Sequence, residues 1–355
     1  MLLTMDGFDL YPGNTSYAGY YELLARGWNP SYLFAIGITL TGGKYGQGAA
    51  TIVRADNNDH SIYRALSSTK TTVIAQTFVR PGTTLGSCIF FEMWYGAHSA
   101  LVMRLKTTAA GALELYNCNG ILIATSAANV IRSGTYHHLQ VKCTSADSTG
   151  TVVVRVDNAN IFVYSGNIDT AVGNVGIDRV YFFSCVDRAT ETRYDDIIIM
   201  DNTGLAPRND FIGECRICTL LPNADTAMSD FTRSSGSNDY EMVDDAIPGN
   251  HDVDATYIWT NSLGAKSMFD VGNLSITPSA IYAVQHSVVL DKTTSDTRQA
   301  RGLVSSNSVV QNGATRSLNT AYLYYQDLIE QDPDGPKEWT KAAIDALQIG
   351  VEVVL

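Results

Sequence analysis

No stretch of about 18 consecutive apolar residues occurs in this chain, so no membrane-spanning helix is expected. Its start, Met1 to Asp9, lacks a basic segment followed by an apolar one. No secretory leader is therefore expected, and synthesis in a cytoplasm follows. Positive charge is also in short supply. With 24 basic against 36 acidic residues the net charge is −12. A nucleic-acid partner is excluded, because general phosphate-backbone binders carry a basic face. Charged residues of all kinds make up only 17%, against 45% apolar. The chain can therefore build cores, and it is neither disordered nor a coiled coil.

The usual marks of catalysis are missing. There is no G-x-S-x-G, no H-E-x-x-H and no Cys/His nucleophile pair. The glycine-rich Thr41-Gly-Gly-Lys-Tyr-Gly-Gln-Gly48 lacks the terminal Gly-Lys-Ser/Thr of a phosphate loop and reads as a tight turn. Six cysteines, Cys88, Cys118, Cys143, Cys185, Cys215 and Cys218, are scattered through apolar segments and read as reduced, buried small hydrophobes. Cys215 and Cys218 match C-x-x-C, but within Phe211–Leu221, a segment that reads as a strand, they point to opposite faces. No second pair completes a zinc site, so neither a metal nor a cofactor is expected.

What is present points to β structure. Thr, Ser, Val, Ile and Tyr are abundant, and strand-like runs recur every 8–12 residues, as in a β-sandwich. They include Thr72–Arg80, Cys88–Tyr95, Ala100–Thr107, His137–Thr144, Thr151–Val156, Asn160–Tyr164, Asp178–Ser184 and Tyr194–Met200. Period-two alternation puts Leu101, Met103 and Leu105 on one face and Arg104 and Lys106 on the other. Leu139, Val141 and Cys143 likewise oppose Gln140 and Lys142, as a sheet with one wet side requires. Asp157-Asn-Ala-Asn160 reads as a turn between strands.

Residues 1–205 are nearly neutral at −2, whereas 206–355 carry −10. Gly204 and Pro207 in the polar stretch between them mark a domain boundary, giving domains 1–205 and 206–355. The second also reads as β, with strands over Asp210–Leu221, Thr256–Thr260, Ile281–Leu290, Ala300–Val304 and Thr320–Tyr325. A helix over Asp334–Gln348 is predicted from Pro336 near its start and Gly350 past its end. Trp339, Ala343 and Leu347 would be its packed face.

Gly134-Thr-Tyr-His-His-Leu-Gln-Val-Lys-Cys143, Gly150-Thr-Val-Val-Val-Arg-Val-Asp157 and Tyr194-Asp-Asp-Ile-Ile-Ile-Met-Asp201 together resemble the concanavalin A-like or laminin G-like jelly roll. The likeness extends over roughly residues 5–205 and speaks to fold. The second part resembles a domain of bacteriophage virion proteins. It does so through Asp210-Phe-Ile-Gly213, Leu220-Leu-Pro222, Val243-Asp-Asp245, Asp254-Ala-Thr-Tyr257, Ile281-Tyr-Ala-Val-Gln285, Glu338-Trp-Thr340 and Ala346-Leu-Gln-Ile-Gly350. The combination implies an all-β chain of two β-sandwiches, the first a jelly roll and the second with one C-terminal helix. By this resemblance it is a non-enzymatic tail, collar or fibre-associated component of a virion. Such a part would work by assembly with itself, as a homo-oligomer, and with other virion proteins.

Two alternatives follow from the same fold. A host-surface carbohydrate-binding module would need aromatic rings with polar neighbours; Trp94, Tyr95 and His98 at a strand end are the candidates. A glycan-cleaving enzyme would need two facing carboxylates. The E-x-D-x-x-E string of glucanase relatives is absent, and Glu92 stands alone among aromatics. His137-His138, adjacent on a strand, would split into one packed and one solvated ring. Asp244, Asp245, Asp252 and Asp254 read as a solvated acidic loop, with calcium a lesser alternative. Asp195 and Asp196 read as strand-end hydrogen-bonding groups. Tyr11, Tyr17, Tyr20, Tyr21 and Trp28 crowd an N-terminal arm and are expected to contact a neighbouring subunit.

Overall fold

The computed structural model describes residues 1–11, 17–31, 36–53, 60–96, 98–169, 176–184, 191–245 and 255–355. The chain is all-β and divides into two compact units, Met1–Ile217 and Cys218–Leu355. In the first unit the strands are β1 (Leu2–Asp6), β2 (Trp28–Pro30), β3 (Ile36–Thr39), β4 (Ala49–Val53), β5 (Ser61–Lys70), β6 (Thr72–Pro81), β7 (Cys88–Tyr95) and β8 (Ala100–Thr107). They continue as β9 (Leu113–Tyr116), β10 (Leu122–Thr125), β11 (His137–Thr144), β12 (Gly150–Val156), β13 (Ala159–Gly166), β14 (Ile177–Phe183) and β15 (Glu191–Asp201). Helix α1 (Tyr17–Ala25) precedes β2.

These strands form two antiparallel sheets. One has eight strands in the order β13-β12-β11-β6-β15-β4-β3, with β1 also pairing β15; the other has seven, β10-β9-β8-β7-β14-β5-β2. The alternation read from the sequence sets their facing sides. Leu139, Val141 and Cys143 from β11 and Met103 and Leu105 from β8 enter one core with Phe91, Phe182 and Tyr194. A register shift at Met93/Trp94 re-phases the start of β8, so Val102 joins that core and Leu101 is only half-buried. The β12–β13 turn uses Asp157 and Asn158, both at positive φ, as a two-residue hairpin requires.

The outer side of the eight-stranded sheet is not uniformly wet. No strand forms over 210–221. Instead the segment after β15 crosses that face: Gln76 Nε2–H donates to the Gly213 carbonyl (3.1 Å), and Lys142 Nζ bonds Asp210 (3.1 Å). Gln140 is buried as a result, bonding Gln76 at 3.4 Å. The expected split of the histidine pair also fails, since both rings are buried. His137 is held between Asp157 Oδ2 (2.7 Å) and the Arg132 N–H (2.9 Å). His138 packs against Phe78, and burial lowers its pKa to about 4.

The second unit contains β16 (Pro222–Ser229), β17 (Thr232–Arg233), β18 (Ile258–Trp259), β19 (Lys266–Val271), β20 (Val284–Leu290), β21 (Gln299–Ser306), β22 (Val309–Asn312), β23 (Arg316–Ser317), β24 (Leu323–Ile329) and β25 (Gln348–Val353). Its main sheet runs β16-β19-β25-β21-β22, with β23 beside β21; β17–β18 and β20–β24 are two-stranded. Val271, Val304, Ile329, Trp339, Ile344 and Leu347 form the core. The late helix is much shorter than predicted: α2 covers only Lys341–Asp345. Trp339 is held extended by a bridge to Ile281 and by its indole N–H to the Ile329 carbonyl (3.1 Å), so the helix starts after it. Gly350 is no helix stop. It lies inside β25, where a Cβ would come within 2.1 Å of the Ser267 carbonyl oxygen.

Thr340 caps α2 by accepting from the Ala343 N–H (3.1 Å). In a helix this short the cap is one of few terminal bonds. Thr340→Ala is expected to lower the stability of the second unit by about 1 kcal/mol, read as a shift in the urea midpoint at constant slope.

Candidate functional site

Register across the seven-stranded sheet aligns one row of outward residues from five strands. Tyr63 on β5 lies opposite Tyr181 on β14, Tyr181 opposite Glu92 on β7, Glu92 opposite Arg104 on β8, and Arg104 opposite Tyr116 on β9. Their chain neighbours Ile62, Phe182, Phe91, Leu105 and Leu115 point into the core, which fixes this row on the other face.

Glu92 is the hub, only 1% exposed. Its Oε1 accepts from Arg104 Nε–H, and its Oε2 accepts from the Trp94 indole N–H (2.6 Å). His98 Nε2 lies 4.0 Å from the same Oε2. The carboxylate thus fixes both the guanidinium and the indole. The rings continue from there: Trp94 meets His98 edge-on at 3.8 Å, His98 stacks on Tyr181 at 5.1 Å, and Tyr181 stacks on Tyr63 at 4.5 Å. Burial raises the Tyr181 pKa to about 12, so its hydroxyl stays neutral; it meets no hydrogen-bond partner among the described residues.

The loop after β7 brings His98 over Trp94. Gly96 donates its N–H to both oxygens of Asp178 (3.1 Å each), and the Ser99 N–H closes the turn on the Gly96 carbonyl (2.9 Å). Gly96 has φ +64°, and a Cβ there would lie 2.4 Å from Ser99 Oγ, so the turn needs glycine. Asp178 is also bonded by Arg179 (2.9 Å). At the far end of the row Tyr116 donates to Glu114 (2.8 Å), and Lys106 Nζ sits 5.0 Å from its ring centroid.

Of the three carbohydrate candidates read from the sequence, the fold brings Trp94 and His98 together. Half-buried Tyr95 contributes its carbonyl, which accepts from Ser99 Oγ (3.2 Å). Sequence reasoning missed Tyr63, Tyr181 and Tyr116 and left Arg104 as an ordinary outward residue. Alternation marks each as outward, but only strand register places them in one row.

The aromatic arm is corrected in part. Tyr11 and Trp28 are each 1% exposed and belong to the core. Asp6 Oδ2 accepts from both the Tyr11 hydroxyl (2.5 Å) and the Trp28 indole N–H (2.8 Å), and these bonds turn the rings inward. Tyr21 is 60% exposed. The side chains of Tyr17 and Tyr20 lie outside the described residues.

Asp195 and Asp196 sit at a bulge in β15, where Asp196 has φ +49°. Both are buried. Asp195 Oδ2 accepts from the Lys44 N–H (2.6 Å) and Asp196 Oδ1 from the Ile217 N–H (2.7 Å). The glycine-rich loop of Lys44 therefore wraps carboxylates, its Gly48 N–H going to Asp9 Oδ1 (3.0 Å). Among the described residues no three carboxylate, imidazole or thiol groups converge as a metal site. Asp252 and Asp254 lie outside the described residues, as does Cys185. No described helix is long and apolar enough to cross a membrane.

No protein-family model matches the chain, and no curated protein does. Solved structures are similar to about half of the chain. The alginate lyase Aly36B is similar over 56% of this chain and 96% of its own, with 12% identity and a TM-score of 0.40. A carbohydrate esterase from the Shiga toxin-encoding bacteriophage phi24B matches over 56% and 97%, with 13% identity and a TM-score of 0.36. A sialidase matches over 50% of this chain, which spans only 17% of that protein, with 13% identity and a TM-score of 0.38. These proteins are named for acting on glycans, and the expectation of a virion part working through assembly alone is corrected.

Proposed function

We propose that the first unit is a carbohydrate-binding module whose site is the outer face of the seven-stranded sheet. One observation carries this: the row Tyr63–Tyr181–Glu92–Arg104–Tyr116, flanked by Trp94 and His98. A pyranose has apolar C–H faces and hydroxyl edges. It is recognised by aromatic rings interleaved with fixed polar groups. Here Glu92 fixes Arg104 and Trp94 before any ligand arrives, which reduces the ordering cost of binding. Tyr63, Trp94, His98 and Tyr116 present the open rings, while Tyr181, 6% exposed, braces them through its stacks on Tyr63 and His98.

Binding without cleavage is the favoured mode. Glycoside hydrolysis needs two carboxyl groups about 5–10 Å apart that are able to give and take protons. On this face Glu92 already accepts at both oxygens, and so does Asp178, while Glu114 accepts from Tyr116. Each of the three acids is engaged in holding a neighbouring side chain or loop in place.

Trp94→Ala removes a ring and releases the Glu92 oxygen it holds. Affinity for the best-bound oligosaccharide is expected to fall about tenfold or more, the equivalent of about 1.4 kcal/mol. A glycan array identifies the oligosaccharide and calorimetry measures the loss. If the unsubstituted protein binds no neutral or acidic glycan, the proposal fails.

A further inference from the structure

The outer face of the other sheet carries a groove that the proposed site leaves unused. The segment crossing that face does not reach β13. Between Phe211 and β13 a cavity of about 360 Å³ remains. Its floor follows register: Lys142 on β11 lies opposite Val153 on β12, and Val153 opposite Val163 on β13. Val163 is 72% exposed, the most exposed of the described large apolar residues. Phe211 contributes the aromatic wall, and Thr151 and Ser165, paired across β12 and β13, line one end.

Arg155 is the polar centre of this groove. Its Nε–H donates to Asn160 Oδ1 (2.8 Å), and its guanidinium lies 4.5 Å over the Phe211 ring. These two contacts hold the plane of the group. Its terminal nitrogens meet no acceptor among the described residues. Lys142 supplies a second cation, and Asp210, 3.1 Å from it and also facing Arg155, offsets one of the two charges. The groove is therefore locally positive on a chain of net charge −12.

We infer that this groove is a second saccharide site and that it takes a carboxylated sugar. A planar carboxylate matches the fork of a fixed guanidinium in a bidentate pair. The ring that carries the carboxylate would lay its C–H face on Val163 and against Phe211. The apolar floor makes a free inorganic anion a poor fit. The overall negative charge keeps a nucleic-acid backbone away. This site does not depend on the one proposed above, since no residue is shared.

The test titrates an oligogalacturonate, the neutral galactose oligomer of equal length and a sulfated galactan oligomer into the full chain, followed by amide NMR shifts and calorimetry. Four proteins are compared: unsubstituted, Arg155→Gln, Phe211→Ala and Trp94→Ala. The expected result is that the uronate moves the resonances of Val153, Val163 and Phe211. Trp94→Ala leaves those shifts in place, while Arg155→Gln and Phe211→Ala each weaken binding at the groove about tenfold or more. The neutral oligomer leaves the groove unmoved. The inference is overturned by uronate binding that leaves the groove resonances still, or that survives both groove substitutions. Equal binding of the sulfated oligomer overturns the carboxylate assignment. Retained far-UV circular dichroism of the two groove variants shows that the fold is intact. Loss of array binding with groove binding kept would sink only the first site.

Discussion

Trp28→Ala is expected to lower the unfolding free energy of the first unit by about 3–5 kcal/mol, the range for a large aromatic removed from a packed core. The indole is buried, 5.9 Å from the Phe8 ring and 6.2 Å edge-on from Phe182, and it donates to Asp6. Truncation therefore acts twice. It opens a cavity between the ring cluster and α1, and it takes one of two side-chain donors from Asp6 Oδ2, leaving the Tyr11 hydroxyl. Arg64, whose guanidinium lies 5.8 Å from the indole centroid, also loses its aromatic face. Trp28→Phe separates the two effects: it restores most of the volume but not the N–H, so a smaller cost of about 1–3 kcal/mol remains. Urea unfolding of both variants, followed by far-UV circular dichroism, makes the comparison. A loss under about 1 kcal/mol for Trp28→Ala would mean that the side chain is not core and would return it to an intermolecular role.

That experiment also shows where sequence reasoning reached and where it stopped. The strands were legible because alternation is local: Leu139, Val141 and Cys143 announce a buried face without any partner strand. The Asp157–Asn158 turn was legible because few residues tolerate positive φ. The aromatic arm was misread because a sequence shows crowding but not the acceptor that internalises it; Asp6 lies 22 residues from Trp28. Gln140 looked wet because nothing local says that residues 206–217 return across its face. The long helix was over-read because Pro336 and Gly350 carry helix-end meanings, while the bridge to Ile281 and the tight crossing at Ser267 are long-range facts. Trp94 and His98 could be picked out as an aromatic-polar pair. Tyr63 and Tyr181 join them through the pairing of β5 with β14, and no single-strand pattern encodes that register.

Stability of the first unit is expected to fall as pH rises from about 6.5 to about 8.5, and Asp195 and Asp196 are the cause. Burial raises the carboxyl of each well above the ordinary value of 3.8. For Asp196 the neighbouring Asp195 adds to the effect. For Asp195 the backbone N–H groups of Lys44 and Asp196 oppose it, while Asp9 and Asp6 reinforce it. The folded chain therefore keeps protons that the unfolded chain has already released. Unfolding free energy then decreases with pH, by at most about 1.4 kcal/mol per pH unit for each such group. The stabilisation is complete below the unfolded value and is lost as pH climbs through the raised folded values. The window is set by what else titrates. His138, lowered by burial to about 4, acts with the opposite sign only below its ordinary value of 6.5. Asp201 is held low because hydrogen bonds from Thr203, Lys70 and the N-terminal ammonium outweigh the effect of its burial, so it matters only in acid. The thiols of buried Cys143 and half-buried Cys215, both raised by burial, begin to contribute near their ordinary value of 9.0. Between those limits the slope belongs to the aspartate pair. The Asp195→Asn/Asp196→Asn protein should give a nearly flat profile in urea titrations at half-unit pH steps, and at pH 8.5 it should be more stable than the unsubstituted chain. An unchanged slope in the double variant would show that the two carboxyls are ionised in the folded protein and that a counter-charge meets them there.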